Sequence, residues 1–420
     1  MMIKADLLIT DIGQLVTMAG PPPPRSGGDA EELSIIRNGS IASCGGRIVW
    51  TGLTENMPDV QLTDDALKID AEGRLVTPGF VDSHTHPIYA GTRQTEFAMR
   101  AEGADYEEIA AAGGGILNSV KRTREASRKE LENTLLNHLT TMLLLGTTTV
   151  EAKSGYGLDA ETEIRCLEIL TEVSDYWPQT LLRTFLGAHE TPVEYRGRSD
   201  EYLDYLLSTV LPEIKARELA DFVDIFCEKG VFTPQQSRRY LKKASEMGFK
   251  LKIHADEFHD TGGAAVAADT GALSADHLLS ISSDNMKRIA ESGTVATLLP
   301  GTALFLGKPF PPGRELMDSG AAVAVATDLN PGSCFCESMP LMVNLAVTQC
   351  GLTVEEAITA ATVNGAAALG KGDLKGALAQ GMDADMILWD LDDYRGIAYH
   401  MAIPDIEDVV VAGQPVSSMF

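Results

Sequence analysis

The stretch Leu75-Val76-Thr77-Pro78-Gly79-Phe80-Val81-Asp82-Ser83-His84-Thr85-His86 decides the fold prediction. It is short and apolar, and Pro78-Gly79 bounds it upstream, which is typical of a buried strand that opens a barrel. Alternate side chains of a strand point to the same face, so His84 and His86 direct both imidazoles toward one point. Two imidazoles that converge where a parallel strand ends form half of a metal site.

The middle of the chain alternates apolar strands with amphipathic helices. This alternation indicates βα units and a parallel sheet, and eight strands are the number that closes a (β/α)8 TIM barrel. The strands predicted after the first are 147–152, 181–188, 222–227, 250–254, 275–279, 294–299 and 322–327. The predicted helices include 128–145, 160–176, 234–247 and 283–291, the first of which has a clear 3.6-residue apolar period.

Both ends of the chain have the pattern of short strands and turns. The predicted strands are 6–10, 14–18, 33–37, 39–43, 47–51, 385–389 and 409–416. We therefore expect residues 1–76 and 380–420 to build one small β-sandwich domain, with the catalytic barrel, 77–379, inserted between them. The tetraproline stretch at 21–24 is expected to be a loop, because consecutive prolines donate no ladder hydrogen bonds.

Composition and charge narrow the class of protein. The 420 residues are 44% hydrophobic and 22% charged, as in an ordinary globular protein large enough for a barrel and an accessory domain. A net charge of -26 argues against nucleic-acid partners and anionic membrane surfaces. An anionic small-molecule substrate would need a local cationic anchor in such a chain.

No signal peptide or membrane-spanning run is visible, and six cysteines are scattered along the chain. This pattern predicts a cytoplasmic protein with reduced thiols. Cys334-Phe335-Cys336 could be a soft metal pair, but the lack of a second pair favours a structural role. A homodimer is expected, as the commonest assembly of soluble enzymes.

Five of the eight histidines lie at or near the carboxyl ends of predicted barrel strands, the face where barrel enzymes carry their chemistry. They are His84, His86, His189, His254 and His277. His138 within a helix and His400 near the C-terminus are expected to be surface or core residues. His259 lies in the loop after the fifth strand, without a clear task.

Asp328 follows the apolar run that forms the predicted eighth strand. A buried, unpaired carboxylate is costly, although Asp328 could also cap the next helix or pair with a buried arginine. Beside three imidazoles it is better explained as a ligand, so His84, His86, His254 and Asp328 predict a mononuclear metal site. Such a site lowers the pKa of a bound water toward neutrality. Zinc, iron and manganese are all compatible with these ligands.

Two further residues could handle protons at this site. Glu257, three residues after His254, could cap or salt-bridge at the surface but is better suited to orient a water or relay a proton. His277 is the second candidate, and its contact with the metal stays open. Asp276 has the wrong parity to share the face of His277.

These features resemble the amidohydrolase superfamily over nearly the whole chain, including the divided β-domain. The local motifs are most similar to those of the imidazolonepropionase family, which acts in histidine degradation. The supporting strings, besides the opening stretch, are Tyr89-Ala90-Gly91-Thr92-Arg93, Gly113-Gly114-Gly115-Ile116, Glu151-Ala152-Lys153-Ser154-Gly155-Tyr156-Gly157-Leu158, Phe185-Leu186-Gly187-Ala188-His189, His254-Ala255-Asp256-Glu257 and Asp328-Leu329-Asn330-Pro331-Gly332-Ser333.

The resemblance implies hydrolysis of 4-imidazolone-5-propanoate to N-formimidoyl-L-glutamate with one zinc or iron ion. His189 could then donate a hydrogen bond to the developing oxyanion. Asp328, Glu257 and His277 are the groups able to move the proton of the attacking water to the leaving nitrogen, with the division among them left open.

The resemblance also implies a set of substrate contacts. Arg93 would bind the propionate bidentately, although a surface salt bridge is an equal alternative from the residues alone. The remaining substrate candidates, which would hold ring polar atoms or the propionate, are Tyr156, His189, Glu257, Asn330, Gly332 and Ser333.

Three alternatives remain at this stage. A carboxylated lysine bridging two metals is disfavoured, because neither Lys229 nor Lys153 is convincingly placed for it. A deaminase of a cytosine- or guanine-like base would share the metal site but not the need for Arg93. A metal-free assembly protein on the same scaffold would be expected to lack one or more ligands, and all four are present.

Overall fold

A computed structural model of the protein describes residues 2–103, 108 and 114–418. The described strands form two separate sheets. In chain order they are Met2–Val16 (β1), Ile35–Cys44 (β2), Arg47–Leu53 (β3), Asp59–Asp70 (β4), Leu75–Pro78 (β5), Phe80–Thr85 (β6), Thr147–Lys153 (β7), Thr180–Ala188 (β8), Phe222–Cys227 (β9), Lys250–Ala255 (β10), Ser274–His277 (β11), Val295–Leu298 (β12), Val323–Val325 (β13), Met386–Trp389 (β14), Ile406–Val411 (β15) and Gln414–Pro415 (β16).

The helices lie mainly between the strands of the second sheet. They are Gln94–Ala101 (α1), Ile116–Glu125 (α2), Arg128–Leu144 (α3), Ala160–Ser174 (α4), Ser199–Tyr205 (α5), Leu211–Ala216 (α6), Pro234–Glu246 (α7), Gly263–Thr270 (α8), Ser283–Ser292 (α9), Pro300–Leu306 (α10), Gly313–Asp318 (α11), Met339–Thr348 (α12), Val354–Ala361 (α13), Val363–Ala368 (α14) and Arg395–Tyr399 (α15). Ser127 caps α3 and Thr233 forms a capping box on α7, which explains why these helices begin where the sequence predicts.

The first sheet joins the two ends of the chain. Its order is β16-β15-β14-β5-β1-β2-β3, and β4 also pairs with β1. Apolar side chains from both ends pack into one cluster, for example Ile9 and Leu15 against Met386 and Val410. The small β unit predicted from the two termini is therefore a single mixed sheet.

Two details of this sheet differ from the prediction. The runs at 6–10 and 14–18 belong to one strand, β1, whose pairing with β2 shifts register between Ile9 and Ile12. Asp11 between them has a φ of 54°, so the strand continues through a local irregularity that looks like a turn in sequence. Strand β4 was not predicted, because its exposed, polar edge lacks an apolar pattern.

The opening stretch is not one strand but two, in different sheets. Leu75–Pro78 pairs with β1 and β14, whereas Phe80–Thr85 begins the second sheet. Gly79 separates them and donates its N–H to the Asp385 carbonyl, 3.0 Å away. Both halves are buried, so the apolar pattern alone could not show that the chain changes sheets, and β5 extends past the predicted boundary at residue 76.

Gly79 sits where no side chain fits. A Cβ on this residue would lie 2.3 Å from Thr148 Oγ1, and Thr148 is itself buried. We expect Gly79→Ala to destabilise the protein by about 1–3 kcal/mol through overpacking. Thermal unfolding measures this effect, with Gly28→Ala as the control, since a Cβ there meets nothing within 4 Å. An equal melting temperature for the two variants would contradict the close approach.

The second sheet is the predicted barrel. Strands β6 to β13 follow one another in sequence order, and each described pair is parallel. The seam between its first and last strands closes beyond the short β13. Asp328 donates its N–H to the His84 carbonyl at 3.0 Å, and Thr327 donates its Oγ1–H to Asp82 Oδ2 at 2.6 Å.

The carboxyl ends of these strands therefore meet at one mouth.

Of the described helices, none is long and apolar enough to cross a membrane. All six cysteines are free thiols.

Candidate metal centre and substrate pocket

The barrel brings the predicted ligands together from strands that are far apart in sequence. His84 lies in β6 and His86 just beyond it, His254 lies in β10, and Asp328 follows β13. All four are buried, with at most 2% of their surface exposed. Among the described residues, the two groups whose ligand atoms are close enough to hold a metal ion both include His84.

Four of the distances between these ligand atoms are short enough for a shared metal ion. His86 Nε2 lies 3.3 Å from His84 Nε2 and 3.4 Å from His254 Nε2. Asp328 Oδ1 lies 3.4 Å from His84 Nε2 and 3.5 Å from His86 Nε2. Donor atoms this far apart can share an ion about 2.1 Å from each, which matches zinc–nitrogen bonds, whereas His254 and Asp328 fall into different metal-compatible groups.

The charge state of the imidazoles also fits a metal site. Burial, reinforced by the charge of Lys153, holds the pKa of His84 well below its usual value. Burial and the neighbouring histidines do the same to the pKa of His86. Neutral rings that face one another at 3.3 Å direct nitrogen lone pairs at a common point, an arrangement that a cation stabilises. The residues therefore fit a single metal ion.

Asp328 is held in place by its second oxygen. Thr302 donates its Oγ1–H to Asp328 Oδ2 at 2.5 Å. Burial raises the pKa of Asp328 to about 6. Its φ of 53° lies in the left-handed region, which directs the carboxylate back over the barrel mouth at a cost in backbone strain. Sequence analysis did not identify Thr302, because it follows β12 without a charged or metal-binding pattern.

Glu257 and His277 lie side by side next to the metal ligands. Glu257 Oε2 is 3.7 Å from His277 Nδ1, and both side chains are buried. Burial, with the negative charge of Asp328, raises the pKa of Glu257 well above its ordinary value. Neither ring nitrogen of His277 has a described partner, so both are free for a water or a substrate. His277 belongs to the second metal-compatible group, with His84 and Asp328.

His189 lies at the mouth with one ring nitrogen already engaged. Its ring stacks on His86 with centroids 5.2 Å apart. Its Nδ1–H donates to the Gly155 carbonyl at 3.0 Å, because a carbonyl can only accept. Burial lowers the pKa of His189 to about 3, so in this state Nε2 is an acceptor suited to a substrate N–H. The predicted contact with an oxyanion stays a prediction.

Arg93 reaches the same mouth from the beginning of α1. Glu96, which is buried, accepts from its Nε at 2.7 Å and lies 2.6 Å from its Nη2. The remaining nitrogen, Nη1, lies against Gly332, where a Cβ would be only 2.0 Å away. Arg100 donates to the Gly332 carbonyl at 3.2 Å. The arginine is thus in a positioned ion pair, with one edge turned to the loop after β13.

The other predicted substrate contacts fall into two groups: Tyr156 lies beside the candidate ligands, whereas Asn330 and Ser333 shape the loop after β13. Tyr156 is buried beside the His86 and His189 rings, 6.0 and 5.4 Å between centroids. Asn330 instead shapes its own loop: its Oδ1 accepts from the N–H groups of Gly332 and Ser333, and its Nδ2 donates to the Asp328 carbonyl. The Ser333 hydroxyl donates to the same Asn330 oxygen at 3.1 Å. The Asn330 side chain also acts on the Asp328 carboxyl group, where its hydrogen bond lowers the pKa against the larger effect of burial.

The remaining predictions concern residues outside the mouth. His138 is a buried residue between Tyr89 and Glu337. His400 is a surface residue that pairs with Asp405. His259 is half exposed and contacts Glu228 at 3.0 Å. Gly113, the first residue of the predicted glycine string, lies outside the described residues.

Charged residues below the metal ligands were not predicted as part of the site. Asp276 accepts from His84 Nδ1 at 2.6 Å, and Asp224 Oδ2 lies 3.0 Å from His254 Nδ1. Lys153 contacts Glu151 and Asp224 at 2.6 and 2.8 Å. The sequence feature that could have identified these residues is a charged residue within an otherwise apolar strand. The alternation of side chains showed only that Asp276 and His277 point to different faces of the strand. It did not show that Asp276 reaches His84 in β6.

Comparison with known proteins agrees with this geometry. Residues 75–417 match the family model described as the amidohydrolase family. The chain is 45% identical over 405 residues to an imidazolonepropionase of Bacillus cytotoxicus, covering 96% of this chain and 95% of the relative. It is 44% identical to an imidazolonepropionase of Parabacteroides distasonis, covering 98% of this chain and 99% of the relative.

A solved structure shares the fold at much lower identity. An adenosine deaminase from Xanthomonas campestris with bound zinc superposes with a TM-score of 0.70 at 18% identity, over 98% of this chain and 93% of that chain. At this identity the likeness shows the architecture alone. The sequence relatives carry the finer assignment: the chain belongs to the amidohydrolase family and, within it, groups with the imidazolonepropionases.

Proposed function

We propose that the protein hydrolyses the ring C–N amide bond of 4-imidazolone-5-propanoate to give N-formimidoyl-L-glutamate. The observation that carries the proposal is the placement of a guanidinium, Arg93, at the same mouth as the four-ligand metal site. Tyr156 lies between them, close enough for the charges of both Asp328 and Arg93 to act on its pKa, which burial raises first of all. The pocket thus offers a charge for a carboxylate and a separate centre for amide hydrolysis.

The metal would be held by His84, His86, His254 and Asp328. When bound, a divalent cation there polarises a carbonyl oxygen and lowers the pKa of a coordinated water. The fit supports one ion, which we propose to be zinc or iron. We also propose a homodimer, since closed dimers are the commonest assemblies.

The residues divide the proton transfers by their protonation. Asp328 is the proposed proton acceptor from the attacking water, because its carboxylate faces the ligand cluster. Glu257 is the proposed donor to the leaving ring nitrogen, since burial raises the pKa of its carboxyl group and so favours the protonated form. His277, 3.7 Å from Glu257 and without a hydrogen bond to it, is the second candidate for proton transfer beside that carboxyl group. One water is added and the ring N–C bond breaks, so no ammonia is released.

Arg93 is the proposed anchor for the propionate. Glu96 holds two of its nitrogens, which fixes the guanidinium plane before substrate arrives. In a chain with a net charge of -26, this local cation is needed to bind an anion.

The first test is an ultraviolet assay with freshly generated 4-imidazolone-5-propanoate. We expect the metal-loaded protein to accelerate loss of the substrate's absorbance without ammonia release, and Arg93→Ala to raise KM by about 10–100-fold through loss of a charge-assisted contact. Release of ammonia from an aminated heterocycle, with Arg93→Ala unaffected, would support a deaminase instead. No acceleration at all would reject the proposed reaction.

Gly332 offers an independent check on the anchor. A Cβ at this position collides with Arg93 Nη1, so Gly332→Ala is expected to displace the guanidinium and raise KM without removing its charge. Gly28→Ala is again the matched control. A wild-type KM in Gly332→Ala would argue that Arg93 does not hold the substrate where the structure places it.

A further inference from the structure

A fully buried group of charged residues lies inside the barrel beneath the metal ligands. Its members come from four strands and have no exposed surface: Glu151 and Lys153 of β7, Asp224 of β9, Lys252 of β10 and Asp276 of β11. We call these five residues the buried charge network.

Two carboxylates of the network touch the far side of two ligand rings. Asp276 Oδ2 accepts from His84 Nδ1 at 2.6 Å. Asp224 Oδ2 lies 3.0 Å from His254 Nδ1, close enough to act electrostatically on this nitrogen but outside hydrogen-bond geometry. A carboxylate at Nδ1 keeps the proton on that nitrogen, so Nε2 carries the lone pair that faces the cluster.

The two lysines hold these carboxylates. Lys153 Nζ donates to Asp224 at 2.8 Å and lies 3.9 Å from Asp276. Lys252 Nζ lies 3.6 Å from Asp276 and donates to Ser274 Oγ at 2.7 Å. Lys153 is therefore engaged as an ammonium group beside both carboxylates.

Stability alone does not account for this arrangement. Burying an ion costs several kcal/mol, and barrel interiors are usually filled by branched apolar side chains that avoid this cost. Here the charges lie directly against the His84 and His254 rings.

We infer that Asp224 and Asp276, held by Lys153 and Lys252, are positioning residues that fix the metal-binding tautomers of His254 and His84 and so set the metal affinity of the site. This inference needs the metal site but not the proposed substrate. Metal binding therefore tests it separately from the reaction.

The experiment measures zinc affinity in Asp276→Asn and Asp224→Asn by competition with a chromophoric chelator, starting from metal-free protein. Asparagine conserves side-chain volume but removes the charge. We expect each variant to bind zinc about 10–100-fold more weakly, the usual effect of losing a partner of a ligand histidine. Cobalt(II) substitution gives a second readout, since displaced rings change its visible absorption.

Asp385→Asn is the matched control. Asp385 is also buried and pairs with a buried lysine, Lys375, at 2.7 Å, but it lies just before strand β14 of the first sheet. It should lower the melting temperature while leaving zinc affinity within about twofold of the wild type.

Asp276→Asn and Asp224→Asn each test the inference on their own, so one variant that folds is sufficient. Wild-type zinc affinity and cobalt spectra in a folded Asp276→Asn or Asp224→Asn protein would overturn the inference. An equal loss of affinity in Asp385→Asn would do the same, because it would show a general effect of stability.

Discussion

Asp328→Asn is expected to lower kcat by about 10²–10⁴-fold, the range for loss of a positioned proton acceptor. The carboxylate lies 3.4 Å from His84 Nε2 and faces the three imidazoles, whereas its other oxygen is held by Thr302. The amide of asparagine keeps a similar shape but cannot take a proton from water. Steady-state kinetics with 4-imidazolone-5-propanoate measures the loss.

The backbone conformation at residue 328 is compatible with asparagine, so Asp328→Asn should change the side chain without disturbing the loop. Residue 328 has a φ of 53°, a region that asparagine tolerates as well as aspartate does, so the loop should keep its conformation. Zinc content of the purified variant separates loss of the metal from loss of the proton acceptor. A metal-loaded Asp328→Asn enzyme with wild-type kcat would contradict the proposed role and shift it to Glu257 or His277.

Metal removal is expected to lower activity by at least about 10³-fold, because a bound cation contributes several kcal/mol of charge stabilisation in hydrolysis. One equivalent of zinc or iron per chain should restore it. The ligand atoms cluster around one position, and Lys153, the lysine considered as a bridge between two metals, is already engaged by Glu151 and Asp224. Lys153 is therefore not placed to carry a bridging carboxylate for a second ion.

Titration of the metal-free protein with zinc, followed by activity and by elemental analysis, measures the stoichiometry. A control titration with His400→Ala should match the wild type, since this exposed histidine is remote from the cluster. Two tightly bound ions per chain, both needed for full activity, would overturn the single-metal assignment.

The barrel and the ligand set could be predicted because they depend on short, local patterns. Apolar runs of five to eight residues alternating with amphipathic helices indicate a parallel barrel wherever the chain lies in space. In such a barrel all strands end at one mouth, so polar residues that follow different strands must meet there. His254 and Asp328 could thus be placed beside His84 from sequence position alone.

Contacts inside the barrel could not be predicted in the same way. Asp276 reaches His84 because β11 and β6 face each other across the interior, and no spacing along the chain encodes that distance. The direction of the His189 hydrogen bond likewise depends on the Gly155 carbonyl of a neighbouring strand end. Gly79 shows the same limit, since only the strand pairing on either side of it reveals that the chain changes sheets there.

The amino-acid sequence by itself determined the barrel, the divided β-unit, the four candidate metal ligands and the cationic candidate Arg93, because periodicity and strand-end position are properties of the chain. The tertiary structure decided which carboxylates approach His84 and His254, which carboxyl groups have raised pKa values and how Glu96 orients Arg93. Those properties follow from burial and from partners brought together by folding, and both exist only once the strands have closed into a barrel.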